Sequence, residues 1–198
     1  MDEALRAELL EMERIDRAVR AALVARGELH RPGYHAEMEA VHRRHNARIR
    51  AIIDECGWPG YSLVGEDGCR AAGFVVQHAI LDPDLQRRCV GLLHEAVDQG
   101  EAAPFMLALL TDRVLMEEGQ PQIYGTQYIG AEVGGIAPWP IAEPELVDER
   151  RAAVGLPAMA ANEARITAQY REETRIMDEQ PSSDRMSPET GQSHPSEM

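Results

Sequence analysis

Lysine is missing from this chain: all 20 of its basic residues are arginine. A codon bias toward arginine explains that well enough, and the chemical consequence holds whatever the cause. A P-loop needs a lysine on its phosphates, a protein kinase needs one on a strand, and Schiff-base enzymes need one as nucleophile. None of those classes can operate here in its usual form. Serine is nearly as scarce, with Ser62 alone ahead of residue 182, and no GxSxG motif surrounds it. Nucleophilic hydrolase chemistry is therefore poorly supported. The three cysteines, Cys56, Cys69 and Cys89, are odd in number and far apart. That suits neither a disulfide framework nor a CxxC metal site. HExxH, GxGxxG and paired CxxC motifs are absent as well. No apolar run approaches the ~18 residues of a membrane-spanning helix, and no basic segment followed by an apolar one opens the chain. The expectation is a soluble, cytoplasmic protein. A net charge of −14 repels nucleic acid and anionic membranes, so neither is expected as a partner.

Aromatic residues make up only 5% of the chain against 44% apolar overall, so a core must come from Leu, Val, Ile, Ala and Met. Leu5, Leu9, Met12, Ile15, Val19 and Leu23 recur at helical spacing and predict a helix over about 2–26. Asp16 and Arg20 read as an i,i+4 surface pair on it, and Gly27 as its stop. A second helix over about 36–56 buries Met38, Val41, His45, Ile49, Ile52 and Cys56, ended by Gly57 and Pro59. Residues 61–68 read as a loop and about 67–81 as a third helix, with Ala71, Val75 and His78 on one face. Asp82-Pro83 is an N-cap followed by a first-position proline, opening a fourth helix to about residue 98. Pro104 opens a fifth, which Gly119 terminates. The run QIYGTQYI, residues 122–129, is the best strand candidate, with a short partner in the Gly- and Pro-rich stretch after it. A helix from Pro144 and a last one to about Met177 follow. From Asp178 onward five acids stand against one arginine with almost no apolar residue, the composition of a disordered tail. The expected fold is mainly α: a compact bundle of about six or seven helices with one small β-hairpin over residues 1–177, then a disordered acidic tail over 178–198.

The ordered run of NARIRAII, GWP, SLVG, QHA, LDPDLQRRC, TDRV, QIYGTQ and ERRAAVGLP resembles a bacterial family known only as domain of unknown function 6624. The likeness covers about Leu5 to Pro157 and leaves the tail outside. It brings no reaction with it. It implies that the polar residues of the QHA, TDR and YGTQ blocks belong to a family pattern. That pattern places an asparagine where this chain has His45, so the HRRHN segment is a departure from it.

Those blocks supply the candidate site. His78 lies on a largely apolar face beside Gln77, and is either a general base or a core histidine bonded to a backbone carbonyl. Arg113 is either a clamp for a carboxylate or phosphate through its planar fork or a structural cation, with the structural role favoured. On a strand Tyr124 and Thr126 would share one face and Gln127 the other, offering hydrogen bonds from a pocket rim. Glu39-x-x-His42 is half of a di-iron signature and His45 adds a histidine, but no second copy exists, so no metal or other cofactor is expected. Cys69, in the first turn of the third helix, would have its pKa lowered by the dipole. Two functions stay open. One is a metal-independent enzyme or binder for a small anionic molecule, with His78 and Tyr124 catalytic and Gln77, Arg113, Thr126 and Gln127 binding substrate. The other is a protein–protein interaction module with no activity, its acidic tail or Arg-rich second helix meeting a partner.

Overall fold

The computed structural model describes residues 1–29, 33–130 and 135–179. Among them are seven α-helices: α1 Glu3–Ala25, α2 Ala36–Cys56, α3 Tyr61–Gln77, α4 Pro83–Asp98, α5 Pro104–Glu117, α6 Val147–Ala153 and α7 Met159–Glu179. Strands β1 Tyr128–Gly130 and β2 Ile136–Pro138 form one antiparallel hairpin between α5 and α6. The mainly α fold with a single small hairpin is as the sequence predicts. The helix α7 runs two residues past Met177, and the rest of the expected acidic tail lies outside the described residues.

The helix boundaries follow from local chemistry. Asp2 caps α1 by accepting the N–H groups of Ala4 and Leu5 at 3.1 and 3.0 Å. Gly27, at φ 65°, closes it, with Glu28 N–H returning to Leu23 O. Asp82 caps α4 through Leu85 N–H, with Pro83 at the first helical position. Two expectations fail around α3. The 61–68 segment is helical from Tyr61, and Gly65 (φ 72°, ψ 172°) divides that first turn from the rest. A remote acid holds the turn: Glu101 accepts Tyr61 N–H through its carbonyl and Ser62 N–H through its carboxylate. No local sequence signal carries a cap 39 residues away. At the other end α3 stops at Gln77, and His78 is its C-cap rather than a residue inside the helix.

Helix α3 is the centre of the fold, packing against α1, α2, α4 and α5. Its buried Val64, Cys69, Ala71, Ala72, Val75 and Val76 meet Leu9 and Met12 of α1, Ile49, Ile52 and Ile53 of α2, and Leu85 and Leu93 of α4 in one cluster. Each fully buried Leu, Ile or Val contributes roughly 1.5–3 kcal/mol. The small residues Ala71, Ala72 and Gly73 let neighbouring helices approach closely; a Cβ on Gly73 would sit 2.5 Å from Met106 Cε. Cys56, expected in the buried stripe of α2, is exposed instead.

The hairpin is shorter than predicted. Pairing covers Tyr128↔Pro138, Ile129↔Ala137 and Gly130↔Ile136. Residues Ile123 to Gln127 form no strand, because their backbone groups are taken by side chains. Gln122 and Ile141 form an isolated parallel bridge. Gln122, fully buried, accepts Gln127 N–H at 2.8 Å and donates to Gln127 O and Trp139 O.

Candidate functional site

Three helices bring ionisable side chains together in the interior. Asp16 of α1 is only 1% exposed. Its Oδ2 accepts hydrogen bonds from His42 Nε2 of α2 at 2.7 Å and from His78 Nδ1, just past α3, at 3.1 Å. The Asp16–Arg20 surface pair expected from the sequence therefore does not form; Arg20 instead pairs with Glu173 of α7 at 2.8 Å. Burial alone would push the Asp16 carboxyl up. The hydrogen bonds from His42 and His78 outweigh it and hold the group well below the usual carboxylate range. The tautomers follow from the network. With Nε2–H of His42 on Asp16, its Nδ1 accepts from the Tyr34 hydroxyl. Burial pushes that phenol up to about 12, so it stays a donor. His45, buried one turn along α2, has its pKa lowered first by burial and then by Arg44.

The other side of His78 belongs to a cavity. With Nδ1 on Asp16, its Nε2 has no partner among the described residues, and the side chain is 30% exposed. Phe74 packs edge-on against the ring at 4.2 Å between centroids, and the Arg17 guanidinium lies 4.4 Å above Phe74. His78 lines a cavity of about 370 Å³ together with Arg113, Thr126, Gln127, Tyr128 and, from α7, Gln169 and Tyr170. Four of the six residues singled out from sequence thus share one cavity. The other two do not. Gln77 lines a separate, largely apolar cavity of about 230 Å³ beside Phe74, Phe105 and Met106. Tyr124 is absent from the lining of the 370 Å³ cavity, its backbone being held in the turn below.

Arg113 is the least satisfied group in the cavity. Its Nε is buried with no hydrogen-bond partner, and it makes no ion pair among the described residues. Burial lowers its pKa, and the charge of Glu117 offsets only part of that. Nearby, Thr126 Oγ1 accepts from Gln127 Nε2 at 2.9 Å and donates to Asp112.

Asp112, next to Arg113, serves the turn. Fully buried, it accepts Ile123 N–H at 2.7 Å, Tyr124 N–H at 3.0 Å, Thr126 N–H at 3.0 Å and the Thr126 hydroxyl at 2.9 Å. From the opposite side Arg151 of α6 donates to Tyr124 O at 2.6 Å, Gly125 O at 3.3 Å and Pro157 O at 2.5 Å. An anion collects the turn's N–H groups and a cation its carbonyls. This replaces the strand geometry expected for Tyr124, Thr126 and Gln127, and it fixes where Thr126 and Gln127 stand on the cavity wall. Sequence reasoning placed Asp16 at the surface and did not single out Arg151.

Asp16, His42 and His78 also place one ligand atom each within 4.8 Å of one another, whereas Glu39 of the expected half-signature pairs with Arg43 at the surface. Burial raises all three cysteine thiols, that of Cys56 least enclosed. Burial raises the Cys69 thiol, against the dipole effect expected for it, with Trp58 Nε1 donating to its sulfur at 3.3 Å. Cys89 is pushed up to about 12 in the same way.

The sequence profile of a family of unknown function (DUF6624) matches residues 3–170. No curated protein and no solved structure matches the chain.

Proposed function

The chain belongs to the DUF6624 family, which brings no activity with it, and from the cavity itself we propose an enzyme or binder for a small anionic molecule. The observation that carries this is Arg113: a half-buried guanidinium on a cavity wall, its Nε unpartnered and no acid among the described residues paired with it, the Glu173 carboxylate on the same wall being engaged by Arg20. A buried cation left unpaired is costly, and a carboxylate or phosphate entering the cavity would supply the missing partner bidentately. His78 is the acid/base group of this reading. Asp16 holds its ring by Nδ1 and would stabilise the imidazolium that forms when Nε2 takes a proton. Gln127, whose amide nitrogen is tied to Thr126 Oγ1, keeps Oε1 for a donor on the ligand. The reading as a partner-binding module would gain from a His78 fully buried against backbone and an Arg113 locked to an acid. His78 bonds a carboxylate and is partly exposed, which favours the anion reading.

The test is a thermal-shift and calorimetric screen of small carboxylates and phosphates against wild type, Arg113→Met and His78→Gln. A ligand whose binding falls at least tenfold in Arg113→Met, while His78→Gln still binds it, is the expected result. Hits that bind Arg113→Met as well as wild type, or no anionic hit at all, would overturn the reading.

A further inference from the structure

We infer that Asp16, His42 and His78 form a binding site for a divalent transition-metal ion of zinc's kind. The donors are two imidazole nitrogens and a carboxylate oxygen, each from a different part of the chain, all within 4.8 Å of one another. That mixed N/O set suits borderline ions and not the all-oxygen preference of calcium or magnesium.

Two observations beyond proximity point to a ligand. Both rings converge on the single oxygen Oδ2, and Asp16 Oδ1 is left buried with no partner among the described residues. A carboxylate oxygen unmet in the interior costs the desolvation of that group, and an ion held by the three side chains would offset that charge, leaving its fourth position to a solvent molecule from the cavity. In addition, the Tyr34 hydroxyl sits on His42 Nδ1, fixing that ring with Nε2 aimed inward. An outer hydrogen bond on the far nitrogen of a histidine is the usual support of a metal ligand. The hydroxyl can accept as well as donate, so His42 can shift its proton from Nε2 to Nδ1 without gaining or losing charge. His78 does the same by moving its proton to Nε2. No proton has to leave the protein for the ion to enter.

The present spacings, 2.7 Å for His42–Asp16 and 3.1 Å for His78–Asp16, are those of hydrogen bonds. A tetrahedral ion with bonds of about 2.0–2.1 Å holds its donors roughly 3.3 Å apart. Loading therefore asks the two histidine–carboxylate distances to lengthen by about 0.6 and 0.2 Å. The proposed acid/base role and the ion are alternatives for His78: with the ion on Nδ1, Nε2 carries the proton and faces the cavity as a donor. That consequence depends on the proposed function, whereas the metal site does not.

The experiment uses the full chain, stripped with chelator, titrated with Zn²⁺ by calorimetry and with Co²⁺ by visible absorption. One equivalent is expected, with the intense Co²⁺ bands of a four-coordinate site. His42→Gln and His78→Gln, checked for folding by circular dichroism, should each weaken binding at least tenfold. His78 is partly exposed, so that variant guards against a folding failure at His42. His35→Ala removes the only histidine of the surface group Glu28, His35 and Glu37 and should bind like wild type. The site is refuted if wild type takes up no ion, if both glutamine variants bind as well as wild type, or if only His35→Ala loses binding. Arg113→Met should leave the titration unchanged, which separates this outcome from failure of the anion reading.

Discussion

Replacing Asp112 by asparagine is isosteric and tests the turn that presents Thr126 and Gln127 to the cavity. Oδ1 of Asp112 faces the N–H groups of Ile123 and Tyr124, and Oδ2 faces Thr126 N–H and the Thr126 hydroxyl. An asparagine has one oxygen and one NH₂. Whichever way it flips, its NH₂ points at a buried backbone N–H, a donor against a donor. The loss is at least one charge-assisted hydrogen bond, plus the desolvation of an amide left unmet, which together cost about 3 kcal/mol. For a chain of this size each kcal/mol lowers the melting temperature by about 2–4 °C, so the expected drop is roughly 6–12 °C. Thermal unfolding followed by far-UV circular dichroism reads it, with Asp84→Asn, at an exposed acid on α4, as the control that should barely move. A melting temperature for Asp112→Asn within about 1 °C of wild type would show that the carboxylate does not hold the turn.

The other changes probe the same framework from different sides. Arg151→Met removes a 1%-exposed cation and leaves the carbonyls of Tyr124, Gly125 and Pro157 unmet; a loss of about 3 kcal/mol in denaturant unfolding is expected, and a loss below about 1 kcal/mol contradicts the cradle. Gly125→Ala forces a side chain into φ 66° with its Cβ 2.7 Å from Met159 Sδ, so about 1–2 kcal/mol is lost to backbone strain alone and the crowding adds to it; an unchanged melting curve argues against this turn. Asp67, held down to about 2 mainly by its bond from Arg6, has a depressed folded pKa. Its contribution is present above about pH 4 and fades as pH falls toward about 2. The melting-temperature gap between wild type and Asp67→Asn should close over that window, and a gap that stays constant there would mean the ion pair is not its source.

Much of the helical frame was legible because it rests on short-range chemistry. Asp82-Pro83, Gly27, Gly57 and Gly119 mark helix ends by rules that need only a few neighbouring residues. Two errors in the backbone share a cause: a side chain distant in sequence supplied what local reading expected from the backbone. Glu101 caps the first turn of α3, so 61–68 reads as loop but folds as helix. Asp112 and Arg151 capture the backbone of residues 123–126, so a β-rich run stays out of the sheet. Of the candidate residues, His78, Arg113, Thr126 and Gln127 line one cavity, and each was legible as a polar residue in an apolar or strand-like setting. Gln77 lies apart from them because its neighbour His78 ends α3 and turns toward α1, leaving Gln77 on a different cavity.

Asp16 carries the sharper lesson. Its hydroxyl-free, charged side chain next to Arg20 reads as surface, yet its position is the core position. Leu9, Met12, Asp16 and Leu23, the buried residues of α1, step by three, four and seven, which is the rhythm of a single helix face. An acid in that series has to be exposed at the expense of the apolar face or be buried with partners, and burial without partners is costly. His42, His45 and Asn46 interrupt the apolar face of α2 in the same manner, between Val41 and Ile49. Two facing helices that break their apolar stripes at matching heights put polar groups opposite one another in the interior. Asp16 and His42 are that meeting, and His78 joins them from the end of α3. Such breaks weaken the core locally, and natural sequences retain them chiefly where the polar groups have a use. The interrupted stripe, more than any motif, is the feature that points to this site.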